Sequence, residues 1–312
     1  MGKQLIKSKF LQISMVKRSL LFLYLGLWKI LAHVIKDDKT YISLTYRVSF
    51  GKALNWSNLK TLNEKMQWLK LYDRKPIYTI LVDKYLVKRY LSDRFNEEYV
   101  IPNYGVWKSA NDINFDLLPD KFVLKCNHNS GTGLCICKDK TKLNILKVRE
   151  ELNKGLKEDY YIAHREWPYK DVPRRIIAEQ YLETKNGKIP NDYKLHFLNG
   201  KLQFVYVSYD REGSNDRCTY DKDWDRLPFV WVPASTYRST MNTSNVPKPD
   251  SFDKMIEFGT AIAKDFKYVR VDFYDVDGKL YFGEITLYHG SGHDKFFPSE
   301  YDLTYGTLLQ LD

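Results

Sequence analysis

Residues 268–292 hold charged side chains in a regular pattern that could do chemistry. Two runs of alternating apolar and polar residues flank the sequence Asp-Val-Asp-Gly, which predicts a β-hairpin. If Val276–Gly278 form a three-residue loop, Arg270 lies opposite Glu284. Asp272 and Glu284 then share one sheet face as diagonal neighbours, because strand side chains alternate.

The register of this hairpin decides what its charges can do. A two-residue Asp277–Gly278 loop would place the carboxylates of Asp272 and Glu284 on opposite faces. The three-residue loop instead predicts two carboxylates beside an arginine, a group that suits a hard cation such as Mg²⁺ that also holds phosphates. The alternative reading is a solvated ion pair on an exposed strand face.

A small-residue turn lies earlier in the chain. The segment Phe122–Cys126 and the segment Leu134–Cys137 both have strand-like composition, and Ser130-Gly131-Thr132-Gly133 joins them. No helix follows this turn, so it is neither a P-loop nor a dinucleotide-binding fingerprint. Such a turn can fold over a triphosphate through its backbone N–H groups, with Lys125 adding positive charge. The alternative is an ordinary hairpin with a glycine turn.

Composition and charge restrict the class of protein. The chain has 312 residues, of which 44% are hydrophobic and 15% aromatic, enough for two packed units with real cores. The formal net charge of +10 favours an anionic ligand or surface. Because there is no basic repeat, zinc-ligand spacing or aromatic RNA-reading motif, we expect no nucleic acid partner.

The four cysteines are expected to be free thiols. Cys126, Cys135, Cys137 and Cys218 include no Cys-x-x-Cys pair, and this spacing argues against a zinc site. Unpaired thiols are typical of the reducing cytoplasm, so we predict a cytoplasmic protein.

The N-terminal segment Met1–Lys36 combines basic and apolar residues. Five lysines and arginines precede the apolar run Ser19–Trp28, which is too short to span a bilayer and lacks a clear cleavage site. The pattern predicts a basic helix that lies on the inner face of the cell membrane. The alternative, a helix docked on the rest of the protein, stays open.

The remaining elements are predicted from periodicity and turn residues. A capping box at Thr61 to Glu64 opens a helix that ends at Tyr72, and Asn199–Gly200 is a strong hairpin turn. Further predicted helices are Ile77–Phe95, Thr141–Ala163 and Ser251–Lys264. The segment Ser208–Pro249 is polar and rich in turn residues, which predicts a long functional loop.

Several short motifs occur in one order along the chain. They are Asp83-Lys84, Lys125 with the Ser130–Gly133 turn, Glu179-Gln-Tyr-Leu182, Asp192-Tyr-Lys194, Arg270-Val-Asp272 and Glu284-Ile-Thr286. This order resembles the ATP-grasp superfamily. It is most similar to the TupA-like (teichuronopeptide biosynthesis) family of bacterial capsule and surface-polysaccharide proteins. The segment Leu62–Asp73 resembles the sequence with which the conserved region of that family begins. The resemblance covers roughly residues 46–312.

The resemblance implies an α+β ATP-grasp fold, with two α+β subdomains clamping a nucleotide and a helical N-terminal extension. The implied divisions are 1–40 (the N-terminal helix), 41–115 (a helical region), 116–183 (the lid subdomain) and 184–312 (the C-terminal subdomain with the metal site).

The resemblance also implies a role for each motif. The implied nucleotide-binding residues are Lys84, Lys125, Ser130, Gly131, Thr132, Gly133, Glu179, Gln180, Tyr181, Leu182, Glu183 and Lys194. Among these, the Glu179–Leu182 backbone would read the adenine edge, and Glu183 or a neighbour would bind the ribose. Asp272 and Glu284 would hold Mg²⁺, and Arg270, with Lys194, would act on the transferred phosphoryl group. Thr286 stands where many members of the superfamily have Asn, which puts a second metal site in doubt.

The implied activity is that of an ATP-dependent carboxylate–amine ligase. ATP would phosphorylate a carboxylate, and an amine would attack the acyl phosphate; the partners would be a carboxylated sugar or glycan acceptor and an amine such as an amino acid. The alternative is a glycosyltransferase of capsular polysaccharide synthesis, a label often given to the family. Against this alternative, the chain's Asp-x-Asp sequence, the usual sugar-nucleotide motif, lies at Asp275–Asp277 in the predicted hairpin turn. A non-catalytic scaffold is the third class.

Overall fold

The computed structural model describes residues 27, 30–237 and 245–311. The predicted membrane-surface helix Met1–Lys36 therefore lies mainly outside the described residues. Among those that are described, no helix is both long enough and apolar enough to cross a membrane. All four cysteines are free thiols, as predicted.

The described residues from Asp38 onward form eight α-helices. They are α1 (Asp38–Phe50), α2 (Leu62–Tyr72), α3 (Ile77–Val82), α4 (Leu86–Phe95), α5 (Ile145–Leu156), α6 (Tyr160–His164), α7 (Phe252–Ala263) and α8 (Glu300–Leu308).

The strands form antiparallel sheets. They are β1 (Asn103–Trp107), β2 (Phe122–Cys126), β3 (Leu134–Cys137), β4 (Ile176–Gln180), β5 (Asp192–Leu198), β6 (Lys201–Tyr209), β7 (Asp216–Tyr220), β8 (Arg226–Leu227), β9 (Val230–Val232), β10 (Tyr268–Val276), β11 (Lys279–Thr286) and β12 (Lys295–Phe297). The four-stranded sheet has the order β1-β4-β2-β3, the six-stranded sheet β11-β10-β5-β6-β7-β8, and β12 pairs with β9.

Each of the two larger sheets has its own hydrophobic core. Leu152 of α5 packs with Phe122 and Leu124 of β2 under the four-stranded sheet. Phe252 of α7 and Phe197 of β5 belong to a larger cluster under the six-stranded sheet. Two α+β units with separate cores, joined by the chain between β4 and β5, confirm the predicted fold class.

Local sequence signals explain how the helices begin. The capping box predicted at Thr61 is confirmed, because the Glu64 N–H donates to Thr61 Oγ1 (3.3 Å) and the Thr61 N–H donates to Glu64 Oε2 (3.0 Å). The predicted helix Ile77–Phe95 is instead two helices. Asp83 interrupts it by accepting from the N–H of Tyr85 at 2.8 Å, which places Lys84 in the break between α3 and α4.

The hairpin turn at Asn199–Gly200 is confirmed, with φ values of 45° and 77°. The prediction of one long loop over Ser208–Pro249 is wrong in part. Its first residues complete β6, and β7, β8 and β9 lie within it, because the alternating residues of Asp216–Tyr220 pair with β6.

Candidate active site

Asp272 and Glu284 lie directly opposite each other on β10 and β11. The turn between these strands has two residues, Asp277–Gly278, and not three. The prediction that a two-residue turn separates the carboxylates is nevertheless wrong, because Gly283 is an extra residue in β11 that shifts the register. This β-bulge returns Glu284 to the face that carries Asp272.

Arg270 binds both carboxylates from the same sheet face. Its Nε donates to Asp272 Oδ1 (2.6 Å) and its Nη2 to Asp272 Oδ2 (2.8 Å). The same Nη2 lies 3.4 Å from Glu284 Oε2. Arg270 is 8% exposed and Asp272 is 2% exposed, so this pairing is screened from water. Although burial opposes the charge, Asp272 raises the pKa of Arg270 further above its ordinary value.

Lys194 joins this group from the neighbouring strand β5. Its Nζ lies 2.6 Å from Asp192 Oδ2 and 2.7 Å from Asp272 Oδ2. The register that pairs Asp272 with Lys194 produces this contact, and side-chain alternation places Asp192 and Lys194 on one face. Lys194 is thus a cation beside the carboxylates of the hairpin.

Lys84 connects the acidic hairpin with the base of the glycine turn. Its Nζ lies 3.4 Å from Glu284 Oε1 and donates to the carbonyl of Asn129 at 2.7 Å. Burial alone would raise the pKa of Glu284, but Lys84 and Arg270 hold it below its ordinary value. Glu284 is therefore an anion whose side chain is 32% exposed.

Lys125 faces the same space from the four-stranded sheet. Its Nζ lies 2.5 Å from Glu179 Oε2, and Lys88 Nζ lies 2.7 Å from Glu179 Oε1. Burial by itself raises the pKa of Glu179, but Lys125 and Lys88 outweigh it and lower that pKa to about 2. Glu179 is thus a buried anion between two lysines.

A cleft between the two units brings these groups together. Its polar lining consists of Lys84, Lys88, Lys125, Glu179 and Glu284. Its apolar lining consists of Leu81, Val82, Val87, Leu91, Val100, Phe282 and Ile285. Glu284 belongs both to this cleft and to the group around Arg270, so the lysines of one sheet and the carboxylates of the other share one space.

Lys88 was not among the predicted site residues. It lies four residues after Lys84, a spacing that places two side chains on one side of a helix. This spacing was the available signal, but Asp83 interrupts the helix just before it. Only the fold shows that Lys88 points at Glu179.

The glycine turn has a fixed base and an open tip. Asn129 is buried at the base, where its Nδ2 donates to Glu158 Oε2 (2.8 Å) and to the Gly155 carbonyl (3.2 Å). At the tip, Ser130 and Gly131 are exposed, and Gly131 has φ of 89° with nothing packed where a side chain would begin. Thr132 is half-buried, and Gly133 packs closely against Gly155. The exposed tip is free to contact a ligand over Lys84.

The segment Glu179–Glu183 leaves the four-stranded sheet toward β5. Gln180 ends β4, and its N–H donates to the carbonyl of Pro102 at 3.0 Å. Tyr181 is buried and Leu182 is half-buried. Glu183 pairs with Lys121 at 2.6 Å on the surface. The carboxylate assigned to the ribose is therefore held by a lysine of the same unit.

The donor set around the hairpin fits one Mg²⁺. Asp272 and Glu284 are adjacent carboxylates, and Thr286, opposite Arg270, continues the same strand. Within the described residues, no group of three or more His, Cys, Asp or Glu could hold a metal ion. Magnesium needs no such group, because it commonly takes one or two carboxylates and completes its coordination with phosphates and water.

Burial favours the neutral form of three histidines near the site. His289 is 6% exposed, and burial lowers its pKa. Arg270 Nη1 lies 2.8 Å from His289 Nδ1, so Nδ1 accepts and Nε2 carries the proton toward the Trp231 carbonyl at 3.2 Å. Burial also lowers the pKa of His196 and His293 well below the ordinary value.

A family profile described as TupA-like ATPgrasp matches residues 64–310. The chain belongs to the TupA-like ATP-grasp family. The match runs from the capping glutamate of α2 to the end of α8, and so includes every element that carries the site. A search among curated proteins gives no match.

Several solved structures are distantly similar to this TupA-like protein. The D-alanine–D-alanine ligase of Bacillus anthracis, complexed with ATP, has a TM-score of 0.39 and 18% identity over 67% of this chain and 54% of its own. The D-alanine–D-alanine ligase of Helicobacter pylori has a TM-score of 0.42 and 13% identity over 80% and 69%. An ADP complex of PurK, N5-carboxyaminoimidazole ribonucleotide synthetase, has a TM-score of 0.45 and 14% identity over 82% and 59%. The chain thus spans little more than half the length of the first and third proteins.

Proposed function

We propose that this TupA-like protein is an ATP-dependent carboxylate–amine ligase that acts on a precursor of a bacterial capsule or surface polysaccharide. The observation that carries the proposal is the cleft lined by Lys84, Lys125 and Glu284, with Asp272, Arg270 and Lys194 beside Glu284. We infer the polysaccharide substrate from the family and the reaction chemistry from the site.

The cleft has the charges that a nucleotide needs. Lysines on two sides can pair with triphosphate oxygens, and the exposed N–H groups at Ser130–Gly131 can donate to the same oxygens. We propose that the Glu179–Leu182 backbone reads the adenine edge and that Glu183 reaches the ribose after leaving Lys121.

The proposed reaction has two steps. The acceptor carboxylate attacks the γ-phosphorus of ATP, which forms an acyl phosphate and releases ADP. An amine then attacks the acyl carbon, forming an amide, while inorganic phosphate leaves and the amine nitrogen loses a proton. Magnesium, when bound at Asp272 and Glu284, neutralises charge on the phosphate oxygens.

The protein's own residues position and stabilise charge. Arg270 lies between the two carboxylates and fixes their positions, and its guanidinium adds positive charge beside the phosphoryl group that is transferred. Lys194 adds a second cation at Asp272. No nucleophilic Ser or Cys is required, which agrees with the raised pKa of the buried Cys126 thiol.

The glycosyltransferase alternative is disfavoured by the hairpin turn. Asp275 Oδ2 accepts from the Ser251 N–H (3.0 Å) and hydroxyl (2.6 Å), and its Oδ1 accepts from the Gly278 N–H (2.8 Å). Asp277 Oδ2 accepts from the Lys185 N–H at 2.7 Å. Both carboxylates of this Asp-x-Asp sequence thus accept hydrogen bonds from the turn and from neighbouring segments, and neither lines the cleft.

Thermal unfolding with different nucleotides tests the proposed function. At 100 times its dissociation constant, a ligand adds about 2.7 kcal/mol, which corresponds to a rise of about 5 °C in the melting temperature of a chain of this size. We expect this rise with ATP and Mg²⁺, and none with UDP-glucose or UDP-glucuronate. Stabilisation by a UDP-sugar alone would favour the glycosyltransferase, and stabilisation by no nucleotide would favour a scaffold.

We propose further that the N-terminal segment holds the enzyme at an anionic membrane surface. Leu27, Ile30 and Val34 are 54%, 61% and 67% exposed, at spacings that place them on one side of a helix. Arg165 attaches this helical segment to the protein by donating to the carbonyls of Ala32 and Ile35, each at 2.7 Å.

Co-sedimentation with lipid vesicles tests this attachment. We expect binding to vesicles of phosphatidylcholine mixed with anionic phosphatidylglycerol and little binding to phosphatidylcholine alone. The triple variant Leu27→Ser, Ile30→Ser, Val34→Ser should lose most of the binding while it keeps the wild-type response to ATP. Equal sedimentation of the variant and the wild type would contradict the proposed contact.

A further inference from the structure

Glu166 is a buried carboxylate that follows α6 by two residues. It is 3% exposed, and its Oε1 has no hydrogen-bond partner within the part of the chain that the structure describes. Burying a charged oxygen without a donor costs free energy, so such groups usually have an absent partner or a function. Burial raises the pKa of Glu166 more than the charge of Lys70 lowers it. A hydrogen bond from Ser291 lowers this pKa as well, and the charge of Glu284 raises it.

The buried ammonium of Lys70 does not supply the missing donor. Its three N–H donors are matched by three acceptors: the Ser291 carbonyl (3.0 Å), the Ser291 hydroxyl (3.3 Å) and the His164 carbonyl (3.4 Å). Lys70 is therefore used in holding the turn that contains Ser291. Within the described residues Glu166 Oε1 still lacks a donor, so the group that completes it must carry N–H or O–H.

The chain on either side of Glu166 carries two paired tyrosine rings. Tyr160 and Tyr169 are half-buried, and their ring centroids are 4.6 Å apart. Burial raises the pKa of both hydroxyls, and the charges of Glu166 and Glu284 raise it further while Arg270 lowers it. The backbone N–H of Tyr169 donates to the Glu166 carbonyl at 3.2 Å, which ties this ring pair to the segment of Glu166. Aromatic faces attract cations, so these rings suit the same kind of ligand as Glu166 does.

The turn at Gly290–Gly292 is strained and firmly held. Gly290, Ser291 and Gly292 have φ of 52°, 54° and 69°, and this left-handed backbone is unfavourable for a serine. Gln67 of α2 donates to the carbonyls of Ser291 (3.3 Å) and Gly292 (2.8 Å), beside the contacts of Lys70. The segment Leu62–Asp73 therefore serves to fix this turn, which follows β11 by a few residues.

We propose that Glu166, with the rings of Tyr160 and Tyr169, binds the ammonium group of the amine substrate. The ligand class is a primary amine, which brings the N–H donors that Glu166 lacks and a positive charge that the tyrosine faces attract. Lys70 joins the His164 carbonyl, two residues before Glu166, to the Ser291 carbonyl, five residues after β11, so the site adjoins the end of the acidic hairpin. The bound ammonium must lose one proton before its nitrogen can attack the acyl carbon. This inference rests on the ligase function proposed above.

The test is equilibrium binding of free amines to the protein saturated with AMP-PNP and Mg²⁺. The probes are the protein amino acids and ethanolamine, each compared with its N-acetyl derivative, which lacks the ammonium group. The proteins are the wild type, the isosteric variant Glu166→Gln, and the control Glu150→Gln on the exposed side of α5. We expect at least one free amine to bind the wild type and the control. The N-acetyl derivative should bind the wild type at least about 10-fold more weakly than the free amine does. The free amine should bind Glu166→Gln at least about 10-fold more weakly than it binds the wild type. Both expectations follow because the loss of one charged contact costs about 1.4 kcal/mol or more.

The affinity for AMP-PNP separates this inference from the proposed function. Glu166→Gln should bind AMP-PNP as tightly as the wild type does, within about 2-fold. If AMP-PNP binds but no free amine does, or if the amine and its N-acetyl derivative bind the wild type equally, the ammonium site is overturned. Equal amine affinity in Glu166→Gln also overturns it. If AMP-PNP itself fails to bind the wild type, the ligase function falls and this site falls with it. The comparison with N-acetyl derivatives uses the wild type, so it does not depend on how Glu166→Gln folds.

Discussion

Asp272→Asn and Glu284→Gln should each lower magnesium-dependent release of ADP from ATP by about 1,000-fold, the scale seen when one group that stabilises transition-state charge is removed. Each substitution keeps the shape of the side chain but removes one of the two opposed anions on β10 and β11. Because Mg²⁺ prefers charged oxygen ligands, the amides hold it poorly. Steady-state ADP release with saturating ATP measures the effect.

Asp277→Asn is the matched control for these two variants. It makes the same chemical change on the same hairpin, and asparagine tolerates the left-handed turn position that Asp277 occupies, with φ of 53°. Its activity should stay within about 2-fold of the wild type, as expected of a surface change away from the site. Mg²⁺ should strengthen nucleotide binding by the wild type and the control, but not by Asp272→Asn. Wild-type activity in both Asp272→Asn and Glu284→Gln would remove the metal site from the hairpin.

Arg270→Met should lower the free energy of unfolding by about 3–5 kcal/mol, the usual cost of removing one partner from a buried ion pair. The loss leaves Asp272, which is 2% exposed, without its two guanidinium hydrogen bonds. Arg270→Lys keeps the positive charge but not the two-point contact, so its loss should be smaller. Urea unfolding of the three proteins measures these differences.

Magnesium should distinguish this effect from a simple packing defect. In Arg270→Met, the carboxylates of Asp272 and Glu284 repel each other, because no guanidinium lies between them. A divalent cation relieves this repulsion, so Mg²⁺ should stabilise the variant more than the wild type. Arg89→Met is the control, since Arg89 is on the surface with its side chain 87% exposed and should change stability by less than about 0.5 kcal/mol. An Arg270→Met variant as stable as the wild type would show that the pair contributes nothing to the fold.

The hairpin shows where sequence reasoning worked and where it failed. Turn residues and alternation were enough to predict both strands, and the two carboxylates do share a face with Arg270. The predicted three-residue turn was wrong, however. The turn has two residues, and the bulge at Gly283 brings Glu284 to the face of Asp272. A glycine within a strand is a known signal for a bulge, but nothing local says that it will occur or on which strand.

The long-range parts of the site could not be predicted from spacing. Lys125 and Lys88 meet at Glu179 only because β2 and β4 are neighbours and α4 packs beside them. Likewise, Gln67 and Lys70 looked like part of an amphipathic helix, yet their amide and ammonium groups hold Ser291, which lies 224 and 221 residues later. Such contacts depend on tertiary packing, which local patterns do not specify.

A structure of the protein with AMP-PNP and Mn²⁺ tests the central claim most directly. The anomalous signal of manganese should lie between the carboxylates of Asp272 and Glu284, and the triphosphate should extend from there toward Lys84 and Lys125 beneath the Ser130–Gly133 turn. Manganese or triphosphate bound elsewhere, with this cleft empty, would contradict the account.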